Sequence, residues 1–411
     1  MKDIVISEAR IVTPTEVVEH GTLIVSNGRI ASIQTGAPDD HADAVKVDGR
    51  NRLLLPGLID LHNDGIEQEL EPRPRARFPL AVALQALESR LVSHGITTIF
   101  HSFSFMDGRE GSLNPEHLEP AIRELTQLRR TGIIRHLVHA RYEMVEVQHY
   151  ERLLRLIDGG HVNLVSFMDH TPGQGQYRNV EYLLSYYARK YNAPASEVKE
   201  LIAEREKKAR NPEIAATLES LAAHVRAAGL PMASHDDDTP EKVARMRALG
   251  VGISEFPVEM SAALSATHLA LHVAVGAPNV LRGQSTTGNL SALQAIAGGA
   301  ADILCSDYYT PALLQAVFRL VRDGFMSLPD AVRMASLNPA RATGLDGELG
   351  SLSVGKRADM ILVSDSGTPS VVGAWVGGHR VHEKHDGALD VMGDQWAAEA
   401  SPRSKEKADA L

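Results

Sequence analysis

At 411 residues, with 44% hydrophobic and 23% charged residues, the chain has the size and composition of a large α/β domain joined to a smaller one. No apolar run approaches the roughly 20 residues that span a bilayer, and the net charge of −10 argues against broad nucleic-acid binding. Cys305 is the only cysteine, so an intrachain disulfide and a thiolate cage are both excluded, and any metal must be held by His and carboxylates.

The start, MKDIVISEARIVTP, carries charges where a signal peptide needs an unbroken apolar stretch, which predicts a cytoplasmic protein. Residues 3–54 then alternate apolar and polar in short pieces, with turns at Asn27-Gly28 and Asp48-Gly49, as in a small antiparallel sheet. From about Pro56, short apolar segments alternate with amphipathic stretches of helical length. Eight strands are expected, in GLIDLHND, GITTIFHSFSF, RHLVHARYEM, HVNLVSFMDHT, LPMASHD, VGISEFP, HVAVGAPN and ADILCSDYY. Helical patterns such as FPLAVALQALESRLVSHG and IAATLESLAAHVRAAG close with the Gly expected after a helix C-terminus. The fold class is therefore α/β: a (β/α)8 TIM-like barrel over residues 56–346, whose chemistry sits at the strand C-terminal ends. Residues 171–211 are too many for a plain connection and predict a lid. Residues 347–385 return to strand alternation and are expected to join 1–55 in a small β-sandwich domain, while the polar 386–411 reads as a flexible tail.

The run Pro56-Gly57-Leu58-Ile59-Asp60-Leu61-His62-Asn63-Asp64 is an apolar strand ending in His-x-Asp, and strand alternation puts His62 and Asp64 on one face. Glu143, His170, His235 and Asp307 stand at the ends of strands three, four, five and eight. A single His or Asp after a strand is more often a helix cap or a satisfied polar group. Convergence of six on one barrel mouth points instead to divalent metal, with two ions expected, zinc first and manganese or iron as alternatives. In that arrangement a water activated at the metal attacks an electrophile, and Asp307 is the expected proton acceptor. His101, His139, His268 and His272 are weaker candidates, Asp169 competes with His170, and Glu255 offers a substitute ligand at the end of strand six.

These segments resemble the amidohydrolase superfamily over about residues 3–380, and within it the branch that acts in phosphonate breakdown. GLIDLHNDGIEQELEPRPRARFP, MDHTPGQGQYRN and GAPNVLRGQSTTGNLSA carry the likeness to the branch, and GSLSVGKRADMILV the likeness to the superfamily. Many superfamily hydrolases have His-x-His where this chain has His62-Asn63-Asp64, and the branch has Asn-Leu-Glu where this chain has Gly65-Ile66-Glu67. The resemblance implies hydrolysis of α-D-ribose 1-methylphosphonate 5-triphosphate to the 5-phosphate and pyrophosphate. Arg73, Arg75 and Arg77 after strand one, Arg178 in the lid, and Arg282 and Ser285 after strand seven are the expected contacts to this small phosphorylated substrate. A solvated loop is the plainer reading of each arginine. An amide or imide hydrolase or deaminase on the same scaffold predicts a pocket poor in arginine, and a non-catalytic scaffold protein predicts loss of the ligands. A homodimer is the default expectation for assembly.

Overall fold

In a computed structural model of the chain, which describes residues 2–36, 43–73, 75–107, 114–177, 183–184, 188, 194–285 and 288–384, the alternating N-terminal pieces are five strands. They are β1 (Ile4–Val12), β2 (Val17–Ser26), β3 (Arg29–Thr35), β4 (Val45–Asp48) and β5 (Leu53–Pro56). The barrel strands follow: β6 (Leu58–Asn63), β7 (Ile96–Phe105), β8 (Arg135–Glu143), β9 (Leu164–Met168), β10 (Met232–His235), β11 (Ile253–Glu255), β12 (His272–Gly276) and β13 (Ile303–Cys305). β14 (Met360–Ser364), β15 (Ser370–Val376) and β16 (His379–Glu383) then return to the first five.

The outer eight strands hydrogen-bond in the order β16-β15-β14-β5-β1-β2-β3, with β4 parallel to β1, so the expected sandwich is one continuous mixed sheet. One face buries its own core around Ile6, Ile11, Leu23, Met360 and Trp375. The other contributes Leu53, Leu55, Ile361 and Val363 to the core that covers the barrel. Only Gly57 separates β5 from β6. Its N–H donates to the Asp359 carbonyl, and a Cβ there would stand 2.2 Å from the Thr97 hydroxyl, so the junction admits no side chain. An Arg135–Asp359 ion pair fastens the same seam.

β6 to β13 are parallel neighbours in sequence order. Fully buried apolar strands of this kind need cover on both faces. Helices supply it outside: in Leu80–Ser93 the residues Leu80, Leu84, Leu87 and Leu91 recur at helical spacing on the buried side, and Gly95 at φ 86° follows its end. Truncating Leu87, which is fully buried, to Ala would cost about 2–5 kcal/mol. Inside, Ile59, Leu61, Phe100, Leu164, Ile253 and Ile303 fill the barrel base. The barrel closes at its top, where Asp307 N–H donates to the His62 carbonyl at 2.9 Å and Asp64 N–H to the Asp307 carbonyl at 3.0 Å. Behind them Asp60 accepts from Ser306 Oγ at 2.5 Å and Ser306 N–H at 3.0 Å, which rivets β6 to β13.

Within the 171–211 insertion, helix Ala195–Lys208 packs Val198 and Ile202 against Tyr177 and Leu183 in a small core of its own. The expected tail at 386–411 lies outside the described residues. Among the described residues, no helix is long and apolar enough to cross a membrane.

Candidate metal centre

A cavity of about 510 Å³ opens at the C-terminal ends of the barrel strands, and His62, Asp64, His170, His235 and Asp307 all line it. Three residues just past strand ends hold left-handed backbone: Asp236 after β10 (φ 54°), Phe256 after β11 (φ 52°) and Asp307 after β13 (φ 56°). For non-glycine residues such conformations cost on the order of 1–3 kcal/mol each and persist where surrounding structure enforces them. Phe256 packs edge-on against His62 and His235, at 5.0 and 5.2 Å between ring centres.

Three groups of potential ligand atoms gather here: His62–Asp64–Asp307, His62–His235–Glu255 and His170–His235–Asp236, each with its atoms within 4.8 Å of one another. Both ring nitrogens of His235, Asp236 Oδ2 and Glu255 Oε2 are buried without a hydrogen-bond partner. His235 Nδ1 and Asp236 Oδ2 are 2.9 Å apart but lack hydrogen-bond angles. Native interiors seldom leave buried polar atoms unpaired, at about 1–3 kcal/mol each. Imidazole and carboxylate atoms left open on one cavity suit a divalent metal of the zinc, manganese or iron type.

The electrostatics agree. Burial pushes the His62, His139 and His235 imidazoles down, His62 and His139 well down, which keeps them neutral and able to donate lone pairs. Burial raises Glu255 to about 8, and burial followed by the neighbouring Asp64 charge raises Asp307 to about 7. Carboxylates so reluctant to ionise call for positive charge. Part of it is Arg141, whose Nη1 lies 3.2 Å from Asp64 Oδ1. Burial alone would lower the guanidinium, and Asp64, Glu255 and Asp307 outweigh it and raise it.

Glu143 does not line the cavity and joins none of the three groups. As the buried last residue of β8 it stands behind His170, accepting that residue's backbone N–H at 3.0 Å and facing its Nδ1 at 2.6 Å. It thereby orients the ring, leaving Nε2 3.8 Å from Asp236. Of the expected substrate contacts, Arg282 and Ser285 line the cavity. Arg73, Arg75 and Arg77 are exposed and do not, and Arg75 N–H donates to the Glu71 carboxylate at 2.7 Å. Arg178 lies outside the described residues.

Sequence reasoning missed Asp236, Arg141 and Arg205, all of which line the cavity. For Arg141 a signal existed: His139, Arg141 and Glu143 alternate on β8 toward one face. The weaker histidines are used elsewhere. His139 faces Ser166 Oγ at 2.8 Å and the Leu61 carbonyl at 3.0 Å, His101 pairs with His136, and His272 pairs with Asp302.

The amidohydrolase family model matches residues 53–381. The chain is 36% identical over 366 residues to the alpha-D-ribose 1-methylphosphonate 5-triphosphate diphosphatase of Escherichia coli (strain K12), covering 87% of this chain and 94% of that one. Among solved structures, N-acetylglucosamine-6-phosphate deacetylase from Pasteurella multocida superposes with a TM-score of 0.64 at 13% identity, covering 93% of this chain and 100% of that one. Dihydropyrimidinase from Brevibacillus agri superposes with a TM-score of 0.56 at 12% identity, covering 93% and 95%. At such identities the structural likeness speaks to the barrel and its attached sheet.

Proposed function

The chain belongs to the amidohydrolase family, and from that premise we propose that it is a metal-dependent diphosphatase cleaving α-D-ribose 1-methylphosphonate 5-triphosphate to the 5-phosphate and pyrophosphate. The observation that carries the reading is the combination, in one cavity, of open His and carboxylate atoms with the guanidinium groups of Arg141, Arg205 and Arg282. An amide hydrolase has no need of three cations around its substrate. A triphosphate does, because guanidinium forks match phosphate oxygens.

His62, Asp64 and Asp307 on one side and His170, His235 and Asp236 on the other would hold two divalent ions, zinc by first preference, with Glu255 near both His62 and His235. The chemistry such ions supply when bound is Lewis acidity, which polarises phosphoryl oxygens and makes water acidic near neutral pH. Asp307, just past the end of β13 beside His62 and Asp64 on the cavity wall, is the proton acceptor that takes a proton from the attacking water and returns it to departing pyrophosphate. Attack on phosphorus breaks the anhydride between the α and β positions. Arg141, held by Asp64 at the cavity floor, balances charge on the oxygens of the reacting phosphoryl group. Arg282, the last residue of the helix Ala277–Arg282 that follows β12, and Ser285 just beyond it line the same cavity. Glu143 acts through His170, fixing its orientation.

Incubation of metal-loaded protein with the ribosyl phosphonate triphosphate, ordinary nucleotides and cyclic amides tests the reading. Pyrophosphate appearing from the first substrate, with the amides intact, is expected. Amide cleavage without pyrophosphate would replace it with the amidase alternative.

A further inference from the structure

We propose that Arg205, carried to the cavity by the 171–211 insertion, is the residue that selects the phosphorylated substrate by its charge, and that Lys208 is the positioning residue that holds it there. This rests on the diphosphatase reading above and adds to it a specificity element outside the barrel.

Arg205 lies in the last turn of helix Ala195–Lys208, lines the cavity and is only 9% exposed. Burial would raise the Glu143 carboxyl, but His170 and then this buried cation hold it below its usual range. The cation stands at the wall of a cavity ringed with metal-ligand groups, where its guanidinium fork can also meet a phosphate oxygen. One of its nitrogens donates to Met106 Sδ at 3.5 Å. The helix is pinned on two sides. Tyr177, Val198 and Ile202 form its apolar footing, with Tyr177 also lining the cavity. Three residues past Arg205, Lys208 Nζ meets Glu146 Oε1 and Oε2 at 3.0 and 2.8 Å and Asp107 Oδ2 at 3.5 Å. Asp107 follows β7 and Glu146 follows β8, so the insertion is tied to the two strands whose ends frame this side of the mouth. Residues three apart on a helix share a face, so the ion pairs that fix Lys208 also fix the direction of Arg205. Arg205 stands with Arg141 and Arg282 around the cavity, and it is the one of the three that the insertion, not the barrel, supplies to phosphates flanking the reacting one.

The test uses the metal-loaded full chain, with kinetics on the ribosyl phosphonate triphosphate and calorimetric titration with inorganic pyrophosphate. Arg205→Gln should raise both KM and the pyrophosphate Kd about 10- to 100-fold, with metal content and melting temperature unchanged and kcat much less affected. Arg205→Lys should recover part of the loss, and Lys208→Met should weaken both constants about 3- to 10-fold with Arg205 intact. An Arg205→Gln variant with both constants within about twofold of the parent overturns the proposal. Pyrophosphate binding is read without turnover. A parent that binds pyrophosphate through Arg205 but does not cleave the triphosphate therefore sinks the diphosphatase reading alone, and one that cleaves the triphosphate with both constants unmoved by Arg205→Gln sinks the Arg205 role alone.

Discussion

Between them, strands β7 and β8 place buried histidines with a carboxylate partner on both sides of the barrel wall, and the two sides differ in where those groups are aimed. On the outer face, under helix Leu80–Ser93, His101 Nε2 meets His136 Nδ1 at 2.8 Å, His136 Nε2 meets Glu88 Oε1 at 2.7 Å, and Glu88 accepts the Ile133 N–H at 2.8 Å. Apart from His101 Nδ1, that chain closes on itself and ends on backbone. On the inner face, His139, Arg141 and Glu143 lead up to a mouth where His235 and Asp236 line a cavity with buried atoms unsatisfied, and Glu255 Oε2 is unsatisfied beneath them. Histidine and carboxylate occur on both. A closed group is internal support, and an open one is a site awaiting a ligand that completes it.

The comparison can be broken in several ways. The largest effect is expected at Asp307→Asn, which keeps the shape but removes the proton acceptor and should lower kcat by about 10²- to 10⁴-fold, with the fold and most of the metal retained. Activity near that of the parent would remove Asp307 from this role. His235→Ala removes a ligand shared by two of the three groups and should at least halve the metal content measured by elemental analysis. In metal-free protein the same change removes a buried Nε2 that has no partner along with the Nδ1 that faces Asp236 at 2.9 Å, so its apo stability should fall by no more than about 2 kcal/mol. A drop of several kcal/mol there would mean that the mouth is closed support after all.

Glu88→Gln should do the opposite, costing about 3 kcal/mol in denaturant titrations by breaking a buried pair, with metal content and kcat untouched. Loss of metal in this variant would erase the distinction between the two faces.

The smallest effect concerns pH. Burial pushes the His101 imidazole well below its ordinary value, so between that lowered value and about 6.5 the unfolded chain binds a proton that the folded chain refuses. The unfolded state then carries more protons, and stability falls as pH drops below about 6.5, by at most about 1.4 kcal/mol per pH unit for this group. In His101→Asn the fall between pH 7.5 and 5.5 should be shallower. An identical slope would show that His101 titrates normally in the folded chain.

The barrel was legible because a parallel strand buried on both faces is a continuous apolar run, and because each run ends in a residue that cannot remain in an apolar interior. His62, His170, His235 and Asp307 stood out for that reason, and all reach the cavity. Asp236 did not, since His235-Asp236-Asp237-Asp238 offers three aspartates and only the backbone turn decides among them. Asp236 at φ 54° faces the cavity, whereas Asp237 is spent on Ser234 Oγ at 2.5 Å and Ser254 Oγ at 2.6 Å. Glu143 was legible as a buried carboxylate at a strand end, but its engagement with His170 depends on a neighbouring strand whose height no linear pattern encodes. Arg205 was hidden among the many charges of ASEVKELIAEREKK, where only tertiary packing tells a cavity-facing arginine from a solvated one. The arginines of the PRPRAR run stand exposed and do not line the cavity, and local density of charge in a sequence does not say which way a loop turns its side chains.

The most direct measurement is phosphorus NMR of α-D-ribose 1-methylphosphonate 5-triphosphate incubated with metal-loaded, chelator-stripped and zinc- or manganese-restored protein. Pyrophosphate and the ribosyl 5-phosphate should form with the loaded protein, cease on stripping and return on restoration. Pyrophosphate release at the parent rate from folded protein holding less than about 0.2 ion per chain, or none from fully loaded protein, would contradict a metal-dependent diphosphatase.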